Sequence, residues 1–184
     1  MRSDEEIIKE YLAGDDESLK TLIDKYTSSI YNFSARFVGV DNAKDITQDV
    51  FLKVWRNIKK FDSDKASFKT WIFRIARNTI TDFLRKKKSV NFSSLDTEEG
   101  TFEENIPDEI ILQDEIFSKL EDVEMLNKIL DKIPINYREI LVLYYQEDMT
   151  FKEIGGMLGK PLNTVKSYHH RALILLKGEI APKL

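Results

Sequence analysis

Residues Asp41–Lys88 read DNAKDITQDVFLKVWRNIKKFDSDKASFKTWIFRIARNTITDFLRKKK. Over Asp45–Lys60, at about 100° per residue, Ile46, Val50, Phe51, Val54, Trp55 and Ile58 fill one continuous half of a helix. Asp45, Gln48, Asp49, Lys53 and Arg56 fill the other half, and Leu52 sits in its middle. Two readings of that leucine stand side by side. A lone exposed leucine is common and usually means nothing. A leucine ringed by two carboxylates and an amide is also the anatomy of a small protein-binding anchor with a polar rim.

The rest of the stretch is basic and aromatic. From Lys53 to Lys88 there are twelve Lys and Arg against Asp62, Asp64 and Asp82, a local net of +9 in a chain whose formal charge is −4. A concentration of positive charge inside an acidic protein points to a polyanion partner. Phe61, Phe68, Trp71, Phe73 and Phe83 are interleaved with it and offer faces on which unpaired bases stack. Packing is the competing reading, because Trp71 with Ile75 and Phe68 with Ile72 fall at helical spacing. Lys65, Lys69, Arg74 and Arg77 are readable as a solvated face. Arg85-Lys86-Lys87-Lys88 is harder to read that way, since like charges this close repel unless a polyanion neutralises them.

Upstream, Ile7, Ile8, Tyr11 and Leu12 recur at helical spacing. Leu19, Leu22, Ile23, Tyr26, Ile30 and Phe33 continue the pattern into Phe37 and Val38, where Gly39 ends a helix and Asp41 or Asn42 is expected to cap the next. Downstream, residues 91–107 hold five acidic side chains and no basic one. Residues 108–124 carry seven Asp/Glu against Lys119 and regain helical period through Ile111, Ile116, Phe117 and Leu120, so 91–124 nets −11. The expectation is an all-α chain of two small helical domains joined by an acidic flexible linker: 1–90, a linker at 91–107, and 108–184.

The second domain reads as a helix-turn-helix. Tyr137–Gln146 is apolar-rich, Thr150-Phe151-Lys152-Glu153 fits a capping box, Ile154, Met157 and Leu158 pack, and Gly159 makes the turn. A third helix begins near Pro161. Val165, Ala172 and Leu176 share one face of it, with His169 a half-buried spacer on that stripe. Asn163, Thr164, Ser167, His170 and Arg171 share the opposite face with Lys166 at its edge, a surface suited to a major groove.

Composition bounds the rest. With 184 residues, 42% hydrophobic, 33% charged, seven Gly and four Pro, the chain builds a core and favours helices. It has no cysteine, so neither disulfides nor thiolate metal sites are possible. The adjacent His169 and His170 point about 100° apart on a helix and cannot share a metal. There is no phosphate-binding glycine loop, no metal-spaced His/Asp/Glu set and no nucleophile elbow, so neither a cofactor nor an enzymatic activity is expected. MRSDEEIIKEYLAG lacks the features of a signal peptide and no apolar run approaches a membrane span, which leads to the expectation of a cytoplasmic protein with no membrane partner.

These residues resemble a family. DITQDVFLKVWRNIKKFDSDKASFKTWIFRIARNTITDFLRKKK is similar to region 2 of bacterial sigma-70-type factors, and LDKIPINYREILVLYYQEDMTFKEIGGMLGKPLNTVKSYHHRALILLK to their region 4. With only these two regions, in that order, the chain looks like an extracytoplasmic-function (ECF) sigma factor. The resemblance implies that the helix bearing Asp45, Gln48, Asp49, Leu52 and Arg56 docks on core RNA polymerase. It implies that Asp64, Lys65, Ala66, Ser67, Phe68, Trp71, Arg74, Arg77, Asn78, Arg85, Lys86 and Lys87 meet the single-stranded −10 element, trapping unpaired bases as the duplex opens. It implies that Pro161, Asn163, Thr164, Lys166, Ser167, Tyr168, His170 and Arg171 read the duplex −35 element, and it allows an anti-sigma factor as a further partner. The chain departs from the family pattern at Tyr168 and His169, where a basic residue and an aliphatic are usual, and at Gly155-Gly156. The competitors are a free-standing helix-turn-helix regulator, which has no use for Leu52, and a nuclease or helicase accessory, which needs metal-binding carboxylates or a nucleotide loop.

Overall fold

The computed structural model describes residues 2–87 and 128–180. Among the described residues every regular element is helical: α1 (Asp4–Leu12), α2 (Asp16–Val38), α3 (Val40–Asn57), a 3₁₀ turn (Ile58–Lys60), α4 (Phe68–Lys86), α5 (Ile135–Tyr145), α6 (Phe151–Leu158) and α7 (Leu162–Ile180). The all-α expectation holds. The linker expected at 91–107, the periodic stretch 108–124 and Lys88 lie outside the described residues. Contacts divide the chain into two compact units, residues 1–91 with 152–159 and residues 92–151 with 160–184.

In the first unit α2 packs against α1, α3 and α4, and α3 packs against α4. Each buried stripe follows from sequence. Leu22, Ile30 and Phe33 of α2 meet Ile46, Val50 and Val54 of α3 and Ile72, Phe73 and Ala76 of α4, all at most 3% exposed. Phe33 and Phe73 meet edge-on with centroids 5.3 Å apart, a preferred aromatic geometry. Starts are capped by short polar side chains: Ser3 forms a reciprocal box with Glu6, Asp15 accepts from the Glu17 amide, and Ser67 accepts from the Thr70 amide at 3.2 Å. Asp4 at the start of α1 is held by Lys25 and by the Tyr26 hydroxyl, each at 2.5 Å, which pins α1 to α2.

The expected cap of α3 is different. Helix α3 begins at Val40 and takes no side-chain cap from Asp41 or Asn42; Gly39, at φ 77°, is the single joint between α2 and α3. Its carbonyl accepts from the Asn42 and Ala43 amides at 3.3 and 3.1 Å, while the Asn42 side chain donates back to the Val38 carbonyl at 2.8 Å. A glycine in the left-handed region turns the chain within one residue and leaves no separate Ncap position for Asp41.

In the second unit α5 packs on α7. Ile129, Leu130, Ile133 and Leu141 form a core with Ala172, Leu173 and Leu176, and Tyr137 and Tyr145 lean against it. Arg138 is anchored to Asp131 at 2.8 Å and to the Asp131 and Ile133 carbonyls, tying α5 to the segment before it. Burial pushes its guanidinium pKa down, with Asp131 opposing the shift. Helix α6 runs through Gly155 and Gly156 without interruption, and Gly159 follows it at φ 67°.

Candidate nucleic-acid and protein interfaces

Helix α3 separates its inner and outer sides as its sequence requires. Asp45, Gln48, Asp49, Leu52 and Arg56 are all exposed, Leu52 at 47%. They recur at i, i+3, i+4, i+7 and i+11, so they share one face. Lys53 belongs elsewhere: its ammonium donates to the Thr79 hydroxyl at 2.9 Å and braces α3 against α4. The expected apolar half needs correction. Trp55 is 56% exposed and Phe51 only partly buried, because α2 and α4 cover the Ile46–Val50–Val54–Ile58 stripe and stop there. Leu52 is therefore not alone. With Phe51 and Trp55 of α3 and Leu19, Ile23 and Tyr31 of α2 it lines an open, mostly apolar groove between the two helices. The apolar arc of α3, wider than two neighbours can cover, was the signal for this groove.

The loop before α4 is built by its own polar groups. The Asp62 carboxylate accepts from the Asp64 amide at 3.1 Å and pairs with Lys65 at 2.8 Å. That hydrogen bond from Lys65 is the main reason the Asp62 pKa is lowered, and the same pair raises that of Lys65. Asp64, Lys65 and Ser67 are exposed and Ala66 is half-buried. The Ser67 hydroxyl serves the helix start, 3.0 Å from the Thr70 hydroxyl.

Two of the five aromatics offered as stacking faces are withdrawn. Phe68 is 1% and Phe73 0% exposed, packed on Tyr26 and Phe33 respectively, so neither ring is open to a base. Here the packing reading of helical spacing wins. Trp71 and Phe61 are half-buried, with centroids 5.5 Å apart, and Phe68 backs both of them. Phe83 is also half-buried, under the Lys87 ammonium 4.6 Å from its centroid. Along α4, Trp71, Arg74, Asn78 and Arg85 share a face with the loop; Arg74, Asn78, Arg85, Lys86 and Lys87 are exposed and Arg77 is half-buried. Arg85 pairs with Asp82 at 2.8 Å.

On α7, Val165, Ala172 and Leu176 are fully buried, as the apolar stripe predicts. Pro161 lies just before the helix, its carbonyl accepting from the Val165 amide at 3.1 Å. Pro161, Asn163 and Lys166 are exposed; Thr164, Ser167, His170 and Arg171 are half-buried. The Ser167 hydroxyl donates to the Asn163 carbonyl at 2.9 Å. Tyr168, which the resemblance counts among the −35 readers, does not lie on the outer face. Only 8% exposed, it meets Tyr137 of α5 edge-on at 5.2 Å. His169 is more than a spacer. Its Nε2 lies 3.2 Å from the Tyr145 hydroxyl and its ring is surrounded by Tyr144, Tyr145 and Phe151. Burial, with a smaller contribution from His170, lowers its pKa to about 4, so the ring is neutral near neutral pH.

Comparison with known proteins supplies the context for these surfaces. The Sigma-70 region 2 profile matches residues 22–90, and the Sigma-70, region 4 profile matches residues 124–176. The chain is 32% identical over 177 residues to the ECF RNA polymerase sigma factor SigW of Bacillus subtilis (strain 168), covering 94% of both chains. It is 23% identical over 189 residues to the ECF RNA polymerase sigma-E factor of Escherichia coli (strain K12), covering 98% of this chain and 95% of that one. Among solved structures its fold is similar to that of CnrH in complex with the cytosolic domain of CnrY, with a TM-score of 0.73 at 19% identity over 100% of both chains. It is also similar to the sigma factor RpoE in complex with the anti-sigma factor NepR from Bartonella quintana, with a TM-score of 0.67 at 21% identity over 88% of this chain and 96% of that one.

Proposed function

The chain belongs to the sigma-70 family, in its ECF group, and directs transcription initiation; from that premise we propose how its surfaces divide the work. Residues 1–90 form the domain that binds core RNA polymerase and reads the −10 element, 91–107 an acidic linker, and 108–184 the domain that reads the −35 element. Asp45, Gln48, Asp49, Leu52 and Arg56 form the polymerase-docking face. The observation that carries this reading is Leu52, half-exposed on a helix whose core is already filled, rimmed by carboxylates and adjoining Trp55 and Phe51. An apolar centre with a polar rim buries well against a partner and serves no purpose in water.

The loop 61–67 and the outer face of α4 hold the melted −10 strand. Trp71 and Phe61 provide the stacking surface, while Lys65, Arg74, Arg77, Arg85, Lys86 and Lys87 meet phosphates. Phe68 contributes by backing Trp71 rather than by touching a base. Asp64, Ala66, Ser67 and Asn78 shape the pocket for a captured base. Asn163, Lys166, Ser167 and His170, with Pro161, Thr164 and Arg171 beside them, read the −35 duplex. The chain performs no covalent chemistry; it supplies binding energy that favours the open promoter. An anti-sigma protein is a further partner, as the complexes with NepR and the CnrY domain suggest by analogy of fold.

The test separates the two DNA tasks. Trp71→Ala should lower affinity of the holoenzyme for single-stranded −10 DNA by about five- to 150-fold, the equivalent of about 1–3 kcal/mol per stacked base, and leave duplex −35 binding unchanged. Equal loss of both activities would contradict the division.

A further inference from the structure

His169 is a buried titratable residue that the division of surfaces leaves without a task. It is 6% exposed on the inner face of α7, between the fully buried Val165 and Ala172. Its Nε2 lies 3.2 Å from the Tyr145 hydroxyl. The ring centroids of Tyr144, Tyr145 and Phe151 stand 5.0, 5.6 and 4.9 Å from its own. Tyr144 and Phe151 are themselves stacked, 4.5 Å apart at 15°. Tyr144 and Tyr145 end α5 and Phe151 opens α6, so the cage is built from both ends of the turn at residues 146–150. The imidazole is neutral near neutral pH and almost closed off from solvent, so it offers DNA neither a charge nor a surface.

We propose that His169 is a positioning residue: its hydrogen bond with the Tyr145 hydroxyl fixes the rotation of α7 about its own axis, and so decides which −35 sequence Asn163, Ser167 and His170 read. This rests on the reading of α7 as the −35 helix. Apolar packing holds two helices together but tolerates small rotations, because burial and dispersion have little direction. A hydrogen bond is directional and weakens steeply as its angle closes from linear. One such bond at the contact of α5 with α7 removes a freedom that apolar packing leaves. An aliphatic, usual at this place in the family, fills the core without that bond. Outer-face atoms lie roughly 5–6 Å from the helix axis, so a rotation of about 10° displaces them by about 1 Å. A recognition site has to be held to within about 0.5 Å, so that displacement changes which base edges are met. His170 follows His169 directly, about 100° further round the helix, so the anchored ring and the reading face turn as one body.

The test selects −35 duplexes from a randomised pool with the wild-type holoenzyme and with variants, then measures the affinity of each for selected and scrambled duplexes. Tyr145→Phe keeps the ring and removes the hydroxyl; His169→Leu removes the bond from the other side. Each should shift or broaden the selected sequence. Each should also cut discrimination between the wild-type element and its single-base variants by about fivefold or more at one or more positions. Affinity for scrambled duplex and its salt slope should stay at wild-type values, because no phosphate contact is lost. The two effects should not add in the double variant, as for partners in one bond. His169→Gln, whose amide end reaches the place of Nε2, should keep the wild-type selection. If His169→Leu melts early, Tyr145→Phe decides. Equal losses on selected and scrambled duplexes, or effects that simply add, would overturn the positioning role. Asn163→Ala and Ser167→Ala report on the outer face. If they alter the selection while Tyr145→Phe and His169→Leu select and discriminate as wild type, the positioning role is wrong and α7 still reads DNA. If none of the four alters it, the assignment of α7 itself falls.

Discussion

Replacing Leu52 by Asp removes apolar surface that α3 does not use for its own packing. At 47% exposure the side chain should tolerate the change with the melting temperature nearly unaltered. Affinity for core polymerase should fall by more than about 2 kcal/mol, as for a central anchor. A folded variant that binds core at wild-type strength would remove Leu52 from the interface. His169 makes a prediction about stability. Its pKa in the folded chain, about 4, is below the ordinary value of 6.5 because burial disfavours the charged ring. The unfolded chain therefore binds the proton more readily, so the stabilisation is present above pH 6.5 and is lost as pH falls towards 4. Thermal melts of the wild type should drop across that window by on the order of 2 kcal/mol more than those of His169→Phe. Parallel pH profiles would show that the ring does not titrate there. The sequence located both residues but not their surroundings. Leu52 stood out because a leucine breaks a polar face, whereas the aromatic rings around His169 come from Tyr144 and Tyr145 at the end of α5 and Phe151 at the start of α6.

At the scale of elements, period and punctuation placed the helices and misjudged what covers them. The stripe Ile46, Val50, Val54, Ile58 was legible because helical spacing is a local property. Trp55 was counted with it because periodicity records direction only, and whether a neighbour lies in that direction depends on where α2 and α4 end. Phe68 and Phe73 show the opposite limit: the basic stretch offers both rings as stacking faces while helical spacing also offers Phe68 as packing, and both lie in the core. The joint at Gly39 shows a third limit: one left-handed glycine ends α2 and opens α3 together, which no capping side chain reveals. Helix α6 offers the quantitative check. Gly156 is exposed, helical, and has open space where a Cβ would stand. Gly156→Ala should therefore stabilise the chain by about 0.5–1 kcal/mol, through helix propensity and a less flexible unfolded state. Denaturant midpoints measure it directly, and a lower midpoint would mean that this glycine is required by its surroundings.

At the scale of the whole molecule, charge is partitioned along the chain. The stretch Lys53–Lys88 carries +9 and residues 91–124 carry −11, so a nearly balanced chain joins one strongly basic stretch to one strongly acidic one. Much of this was legible, because charge, helical period and the order of two family patterns are all written along the chain. The edge-on contact of Tyr137 with Tyr168 was not, since α5 and α7 come together only in the fold. The proposal is that this chain binds core polymerase and confers promoter choice through surfaces on both of its units. The most direct measurement is transcription by purified core polymerase on fragmented genomic DNA, with and without the chain, with the 5′ ends of the transcripts mapped. The expected result is a discrete set of starts that share −35 and −10 elements, appear only with the chain, and vanish with Leu52→Asp. Starts that are unchanged by adding the chain would contradict it.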